Sequence, residues 1–123
     1  MILIKLNVLI FFIIMKFISS SQADNTIFDN ITINTPPGKM VNIDTHSLHI
    51  FCKGEGSPPV ILEAGIGANM LDWIKIIPEI SKITKVCAYD RAGYGWSTRG
   101  PKPRLTSVLA KELYTLLLAD NIS

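Results

Sequence analysis

The chain has 123 residues, which allows one small domain with a modest hydrophobic core. Its formal charge is +2, but two of the twelve basic residues, Lys5 and Lys16, lie in an apolar N-terminal stretch. Without that stretch, ten basic residues face ten acidic ones and the remaining chain is neutral. No basic run or basic patch interleaved with aromatic residues is left, which argues against nucleic acid as a partner.

Residues 1–18 have the composition of a secretory signal. Lys5 provides a positive start, residues 6–14 are apolar apart from Asn7, and small residues at Ser21 and Ala23 fit a cleavage site. We therefore predict a signal peptide over residues 1–23 and a secreted or extracytoplasmic protein.

An uncleaved membrane anchor is the alternative for the same segment. The apolar run continues through Ile18, towards the roughly 20 residues that a membrane span needs. Lys16 lies near the end of the run and argues against a clean span. Contact with a membrane is thus expected only if residues 1–18 stay attached.

A linker and a hairpin follow. Residues 24–38 are polar and proline-containing and predict a linker, so the folded domain is expected over residues 39–123. Apolar residues alternate on both sides of a polar tip at residues 44–47, which predicts two antiparallel strands. His46 is expected to be a solvated turn residue and His49 an outward-facing strand residue. Neither has further ligands at metal-binding spacing, so no metal or cofactor is predicted.

The segment Pro59–Trp73 predicts a strand, a tight turn and a helix. Val60, Ile61 and Leu62 are consecutive and branched, as in a strand of a parallel sheet that is buried on both faces. Glycines at positions 65 and 67 then provide a turn, and Asn69 is suited to capping a helix that starts at Met70.

The rest of the chain predicts helix, strand and helix. Apolar residues recur at helical spacing over residues 71–80, interrupted at Pro78, and residues 85–89 form an apolar strand. Thr106 is a candidate cap for a last helix. Two strands joined by a helix within about thirty residues predict a parallel pair and an α/β fold class, with the hairpin as an antiparallel margin.

Cys52 and Cys87 both lie in strand-like runs. An exported protein could join them in a disulfide, and only one pairing exists. Buried free thiols are the slightly favoured alternative.

Two motifs together give a resemblance to a known family. The segments GEGSPPVILEAGIGANMLDW and VCAYDRAGYGWS, separated by a helix, resemble the N-terminal part of the α/β-hydrolase family over about residues 39–120. The resemblance implies that the backbone N–H of Ile66 is an oxyanion-hole donor. Gly65 and Gly67 flank it, and a flanking glycine lets the peptide face outward. Removing such a donor typically costs about 3 kcal/mol of transition-state stabilisation.

The family's Asp-Arg-x-Gly-x-Gly-x-Ser turn corresponds here to residues 90–97, which we call the Asp90 turn. Asp90 is expected to accept hydrogen bonds from N–H groups of the turn, and Arg91 to pair with Asp90 or Glu63. The resemblance implies that this turn, including Gly93 and Gly95, supports the floor of an active site. Trp73 and Trp96 are candidates for lining a substrate pocket, although aromatic residues at such places are more often part of the core.

The family's catalytic residues are missing from the sequence. The nucleophile of the family lies in G-x-S-x-G, followed by an acid and a histidine. Ser97 does not fit, because the next glycine comes one residue late and Pro101 and Pro103 follow instead of a helix. Both histidines precede the turn, whereas the family's base comes last.

We therefore predict a truncated N-terminal part of an exported α/β-hydrolase, inactive alone, whose complete relatives act on small-molecule substrates. The alternatives are a non-catalytic secreted or membrane-anchored binding domain on the same scaffold, or an incomplete gene product.

Overall fold

The computed structural model describes residues 35–122, and the statements below refer to them. The predicted signal peptide and most of the predicted linker lie outside this range. The strands are β1 (Lys39–Ile43), β2 (His46–Lys53), β3 (Val60–Glu63) and β4 (Val86–Tyr89). The helical segments are a 3-10 helix (Met70–Trp73), a one-turn helix α1 (Ile77–Ile80) and a long helix α2 (Thr106–Ala119). Within residues 35–122, no helix combines the length and the apolar character needed to cross a bilayer.

The four strands form one mixed sheet in the order β1-β2-β4-β3. β1 pairs with β2 and β2 with β4 in antiparallel fashion, whereas β3 and β4 are parallel. This arrangement confirms the predicted α/β fold with an antiparallel hairpin beside a parallel strand-helix-strand unit. It also leaves β3 at an edge of the described sheet.

The parallel strands differ in burial. All four residues of β4 are buried, as expected for a strand with a neighbour on each side. Val60, Ile61 and Leu62 of β3 are only half-buried and Glu63 is exposed. The prediction of a β3 buried on both faces is therefore wrong for this sheet, because helices bury the faces of a strand and the long helix α2 packs mainly on the β1 side of the sheet.

The predicted helix over residues 71–80 is split into the 3-10 helix and α1. Asn69 caps the first segment as predicted, accepting a hydrogen bond from the Leu71 N–H at 2.9 Å. Pro78 lies in the first turn of α1, where its missing N–H costs nothing. Thr106 does not cap α2. Leu105 holds the cap position without a side-chain bond, and Thr106 is the first helical residue.

Cys52 and Cys87 form a disulfide, so the favoured prediction of free thiols is wrong. The antiparallel register of β2 and β4 places the two residues directly opposite each other, with Cα atoms 4.0 Å apart. Strand register cannot be read from the sequence of two separate apolar runs, which is why spacing left this pairing open.

The hydrophobic core lies between the sheet and α2. Leu116 of α2 is fully buried and packs in a cluster with residues of β1, β2 and β4, among them Ile43, Leu48, Ile50 and Tyr89. The alternating residues of the hairpin and the apolar face of α2 were both predicted from their periodicity. This packing fixes β4, and therefore the turn that follows it.

A charged cluster on α2 was not predicted. Both carboxylate oxygens of Glu112 accept a hydrogen bond from the Arg104 guanidinium, each at 2.6 Å, and this raises the pKa of Arg104. His46 Nε2 lies 3.1 Å from Glu112 Oε1, and the His46 side chain is only 6% exposed. The prediction of a solvated His46 is wrong, because α2 covers the hairpin tip.

Candidate functional site

The β3 loop, which we define as residues 64–69, connects the end of β3 to the 3-10 helix. Ala64 is buried, but Ile66 is 91% exposed. The Ile66 backbone N–H is used in no hydrogen bond within the described part of the chain. Ile66 thus follows the carboxyl end of a parallel strand as an exposed residue, with its N–H unused within the described residues.

Asp90 is the centre of the hydrogen bonds around this loop. The residue is fully buried directly after β4. Its Oδ1 accepts a bond from the Met70 N–H at 2.7 Å, and its Oδ2 accepts one from the Trp96 N–H at 3.0 Å. The bond from Trp96 confirms the prediction that the turn donates to Asp90. The bond from Met70 is new, and it anchors the far end of the β3 loop.

His49 is the third partner of Asp90. Its Nδ1 lies 3.0 Å from Asp90 Oδ2, and its Nε2 lies 2.6 Å from the carbonyl oxygen of Pro37. Both partners are oxygen atoms, so the imidazole is held in place at each of its two nitrogens. The side chains of His49 and Asp90 are both 0% exposed, so their contact is fully buried. The prediction of an outward-facing His49 is wrong.

Ser97 is bound on both sides within the turn. Its hydroxyl accepts a bond from the His49 N–H at 2.8 Å and donates one to the Asp90 carbonyl at 2.5 Å. Neither of these bonds involves the imidazole ring of His49, and Ser97 is buried. Ser97 therefore joins the Asp90 turn to β2 and has the geometry of a structural residue.

Arg91 holds the near end of the β3 loop. Its Nη2 donates to the Gly65 carbonyl at 2.5 Å, and its guanidinium lies over the Tyr94 ring, 5.3 Å from the centroid. The prediction named Asp90 or Glu63 as its partner, so the bond to a main-chain oxygen is a new finding. Consecutive residues of the Asp90 turn thus bind the two ends of the β3 loop.

Tyr89 and Glu63 meet beside Arg91. Burial raises the pKa of Tyr89 well above its usual value, and a hydrogen bond with Glu63 raises that pKa further. The phenol therefore stays neutral and acts as a hydrogen-bond donor to the carboxylate at the end of β3.

The glycines of the two motifs differ in their surroundings. Gly95 has φ +51°, and a Cβ there would collide with the Asp90 carboxylate. A Cβ at Gly65 or Gly67 would meet nothing within 4 Å. The Asp90 turn requires glycine for close packing, whereas Gly65 leaves open space beside the Ile66 peptide.

An open groove of about 820 Å³ lies next to Ile66. Its wall combines charged residues, including Glu63 and Arg91, with apolar residues of α2, including Leu109 and Leu113. Gly93 also lines it, but Gly65, Gly67, Gly95, Asp90 and both tryptophans are not among its lining residues.

The two tryptophans lie elsewhere. Trp96 packs against His49, with ring centroids 5.0 Å apart at 57°. Trp73 is half-buried, and its indole Nε1 is buried without a partner in the described part of the chain. A pocket role for either residue stays a prediction.

The order of strands and the two linked motifs define an α/β-hydrolase sheet, and comparison with known proteins agrees. The family model of the α/β hydrolase fold matches residues 58–121, which is more than half of the chain. The chain therefore belongs to the α/β-hydrolase fold family.

Individual relatives are similar over part of their length. An uncharacterized vacuolar membrane protein of Saccharomyces cerevisiae is 30% identical, over 62% of this chain and 14% of that protein. The enol-lactonase of Burkholderia xenovorans matches 68% of this chain with a TM-score of 0.64 at 23% identity, and 34% of that enzyme is covered. A meta-cleavage product hydrolase of Pseudomonas fluorescens matches 70% with a TM-score of 0.62 at 27% identity, and 33% of it is covered. The chain thus spans about a third of these enzymes.

Proposed function

We propose that this chain is the N-terminal part of an exported α/β-hydrolase and that it supplies the first oxyanion donor, the Ile66 N–H. The nucleophile, acid and base of the reaction lie outside its 123 residues. The observation that carries the proposal is the β3 loop, whose two ends are bound by Asp90 and Arg91 while Ile66 between them is exposed and its N–H is unused within the described residues.

The position of the loop supports this role. In open α/β sheets, ligands bind beyond the carboxyl ends of the parallel strands, and Ile66 follows the carboxyl end of β3. A main-chain N–H held there stabilises the negative charge that develops on an attacked carbonyl, an effect worth about 3 kcal/mol. The substrate would be a small molecule with an ester, amide or similar bond.

The disulfide supports export. Cys52–Cys87 joins adjacent strands, and disulfides persist in oxidising compartments. We propose that residues 1–23 are removed as a signal peptide, or stay as a membrane anchor if Lys16 prevents cleavage. The intact mass of secreted material should correspond to a chain that starts near Asp24, whereas membrane-bound material that begins at Met1 would favour the anchor.

Activity tests the main proposal. The purified chain should not hydrolyse a p-nitrophenyl ester in a reaction that is sensitive to a serine-directed inhibitor. An enzyme that has lost its triad residues keeps at best about a 10³–10⁴-fold acceleration, and this residual activity needs a complete pocket. Inhibitor-sensitive turnover would refute the proposal.

The transcript provides an independent test. A reading frame that continues beyond the Ser123 codon into a G-x-S-x-G segment would support a larger hydrolase. A stop codon in all transcripts of a secreted, folded product would favour the binding-domain alternative.

A further inference from the structure

The Gly65–Ile66 peptide is the part of the β3 loop from which a new role for Arg91 follows. The Gly65 carbonyl and the Ile66 N–H belong to one planar trans peptide and therefore point in opposite directions. Any contact that fixes the carbonyl also fixes the direction of the N–H.

Two donors bind this carbonyl. The Ala68 N–H approaches it at 3.2 Å, which closes the turn, and Arg91 Nη2 approaches it at 2.5 Å. The bond from Arg91 is charge-assisted and is therefore the stronger of the two. Contact with the Tyr94 ring keeps the guanidinium in place.

Beyond these two bonds, packing within residues 35–122 does not hold this peptide. A Cβ at Gly65 would meet no atom within 4 Å, and Ile66 is 91% exposed, so packing does not orient the peptide. The anchor at Met70 lies four residues further along. The direction of the Ile66 N–H thus depends on the two bonds to the Gly65 carbonyl, of which the charge-assisted one from Arg91 is the stronger.

We propose that Arg91 is a positioning residue, which fixes the Gly65–Ile66 peptide and thereby aims the Ile66 N–H into the groove. The role of that N–H rests on the proposed function. The restraint itself is a property of this chain and can be measured without turnover. A charge-assisted bond to the carbonyl also polarises the peptide, so the N–H becomes a better donor.

Nuclear magnetic resonance on the full chain tests the restraint. In the wild type, the Ile66 amide should have an order parameter of about 0.85, and in Arg91→Met it should fall below about 0.6. The Met70 amide, bound by Asp90, should keep its value in both proteins. Arg99→Met is the matched control, because Arg99 lines the same groove, and it should leave Ile66 unchanged. Arg91→Lys keeps the charge but loses the planar fork and should give an intermediate value.

Two results would overturn the proposal. One is an Ile66 amide that stays ordered in Arg91→Met, and the other is a loss of order that includes Met70 equally, which would indicate general loosening. If Arg91→Met does not fold, the scalar coupling across the hydrogen bond between the Arg91 Nη2 and the Gly65 carbonyl carbon decides in the wild type. Its detection supports the restraint and its absence refutes it. If Arg91 orders the Ile66 amide but no hydrolase containing this chain exists, the inference about Arg91 stands and only the proposed function fails.

Discussion

The Asp90 turn follows β4 directly, whereas the β3 edge, by which we mean β3 and the β3 loop (residues 60–69), lies beside β4, and the two regions are built in opposite ways. In the Asp90 turn, a buried carboxylate binds two backbone N–H groups and an imidazole, and Ser97 is bound on both sides. At the β3 edge, the strand has one neighbour, Ile66 is almost fully exposed, and the groove is open.

The difference separates support from reactivity. Buried polar groups are stable only when each has a partner, so the turn tolerates little change. The β3 edge holds the exposed peptide and the apolar surface with which a ligand or further protein could interact. Mutations in the Asp90 turn should therefore lower the stability of the fold, whereas mutations at the β3 edge should change self-association and ligand binding.

Asp90→Asn should have the largest effect. It replaces one oxygen of a buried carboxylate, which binds Met70, Trp96 and His49, by an amide nitrogen that cannot accept, and breaking a buried charged contact in this way costs about 3–5 kcal/mol. Urea unfolding followed by circular dichroism should show this loss, or no folded protein. Asp72→Asn is the control, because Asp72 is exposed, and it should stay within about 0.5 kcal/mol. Equal losses of stability in Asp90→Asn and Asp72→Asn would contradict the structural role of the Asp90 turn.

Removing the disulfide should rank next. Cys52 and Cys87 are 35 residues apart, and a loop of that length predicts a stabilisation of about 3–4 kcal/mol. The double change to alanine should lower the urea midpoint, and reduction of the wild type should lower it by a similar amount. A thiol assay that finds two free thiols in unreduced, unfolded protein would refute the disulfide.

Alanine at three glycines should separate the two regions directly. Gly95→Ala combines a positive φ with a collision at Asp90 and should cost about 2–4 kcal/mol. Gly67→Ala has the positive φ without the collision and should cost about 1 kcal/mol. Gly65→Ala should stay within about 0.5 kcal/mol of the wild type. Thermal melts give the order, and a Gly65→Ala loss as large as that of Gly95→Ala would be the contrary result.

The sequence predicts most of the fold because its signals are local. Alternation in the hairpin, the apolar run of β4 and the periodicity of α2 each report one element. The Asp90 turn and the Asn69 cap could also be predicted, since both depend on nearby backbone groups.

The long-range partners could not be predicted. The contacts of His49 with Asp90, of Arg91 with Gly65 and of Cys52 with Cys87 depend on strand register and on how two loops meet. No signal marked His49, because a polar residue between Leu48 and Ile50 is what a half-buried strand shows on its solvent face. It is buried because Asp90 and Trp96 of the Asp90 turn cover that face.

Self-association should show the smallest effect of a single substitution. β3 presents unpaired backbone groups at the edge of the described sheet, and such an edge is a template for pairing with another copy. We expect the purified chain to elute as oligomers in size-exclusion chromatography.

Leu109→Lys places a charge in the groove beside this edge and should shift the distribution towards the monomer, by a few-fold in apparent dissociation constant. Leu118→Lys is the matched control on the same helix, because Leu118 is already 59% exposed and does not line the groove, so it should leave the distribution unchanged. A sharp wild-type monomer peak with one cooperative melt would instead show that the chain is an autonomous domain, and would favour the non-catalytic binding role.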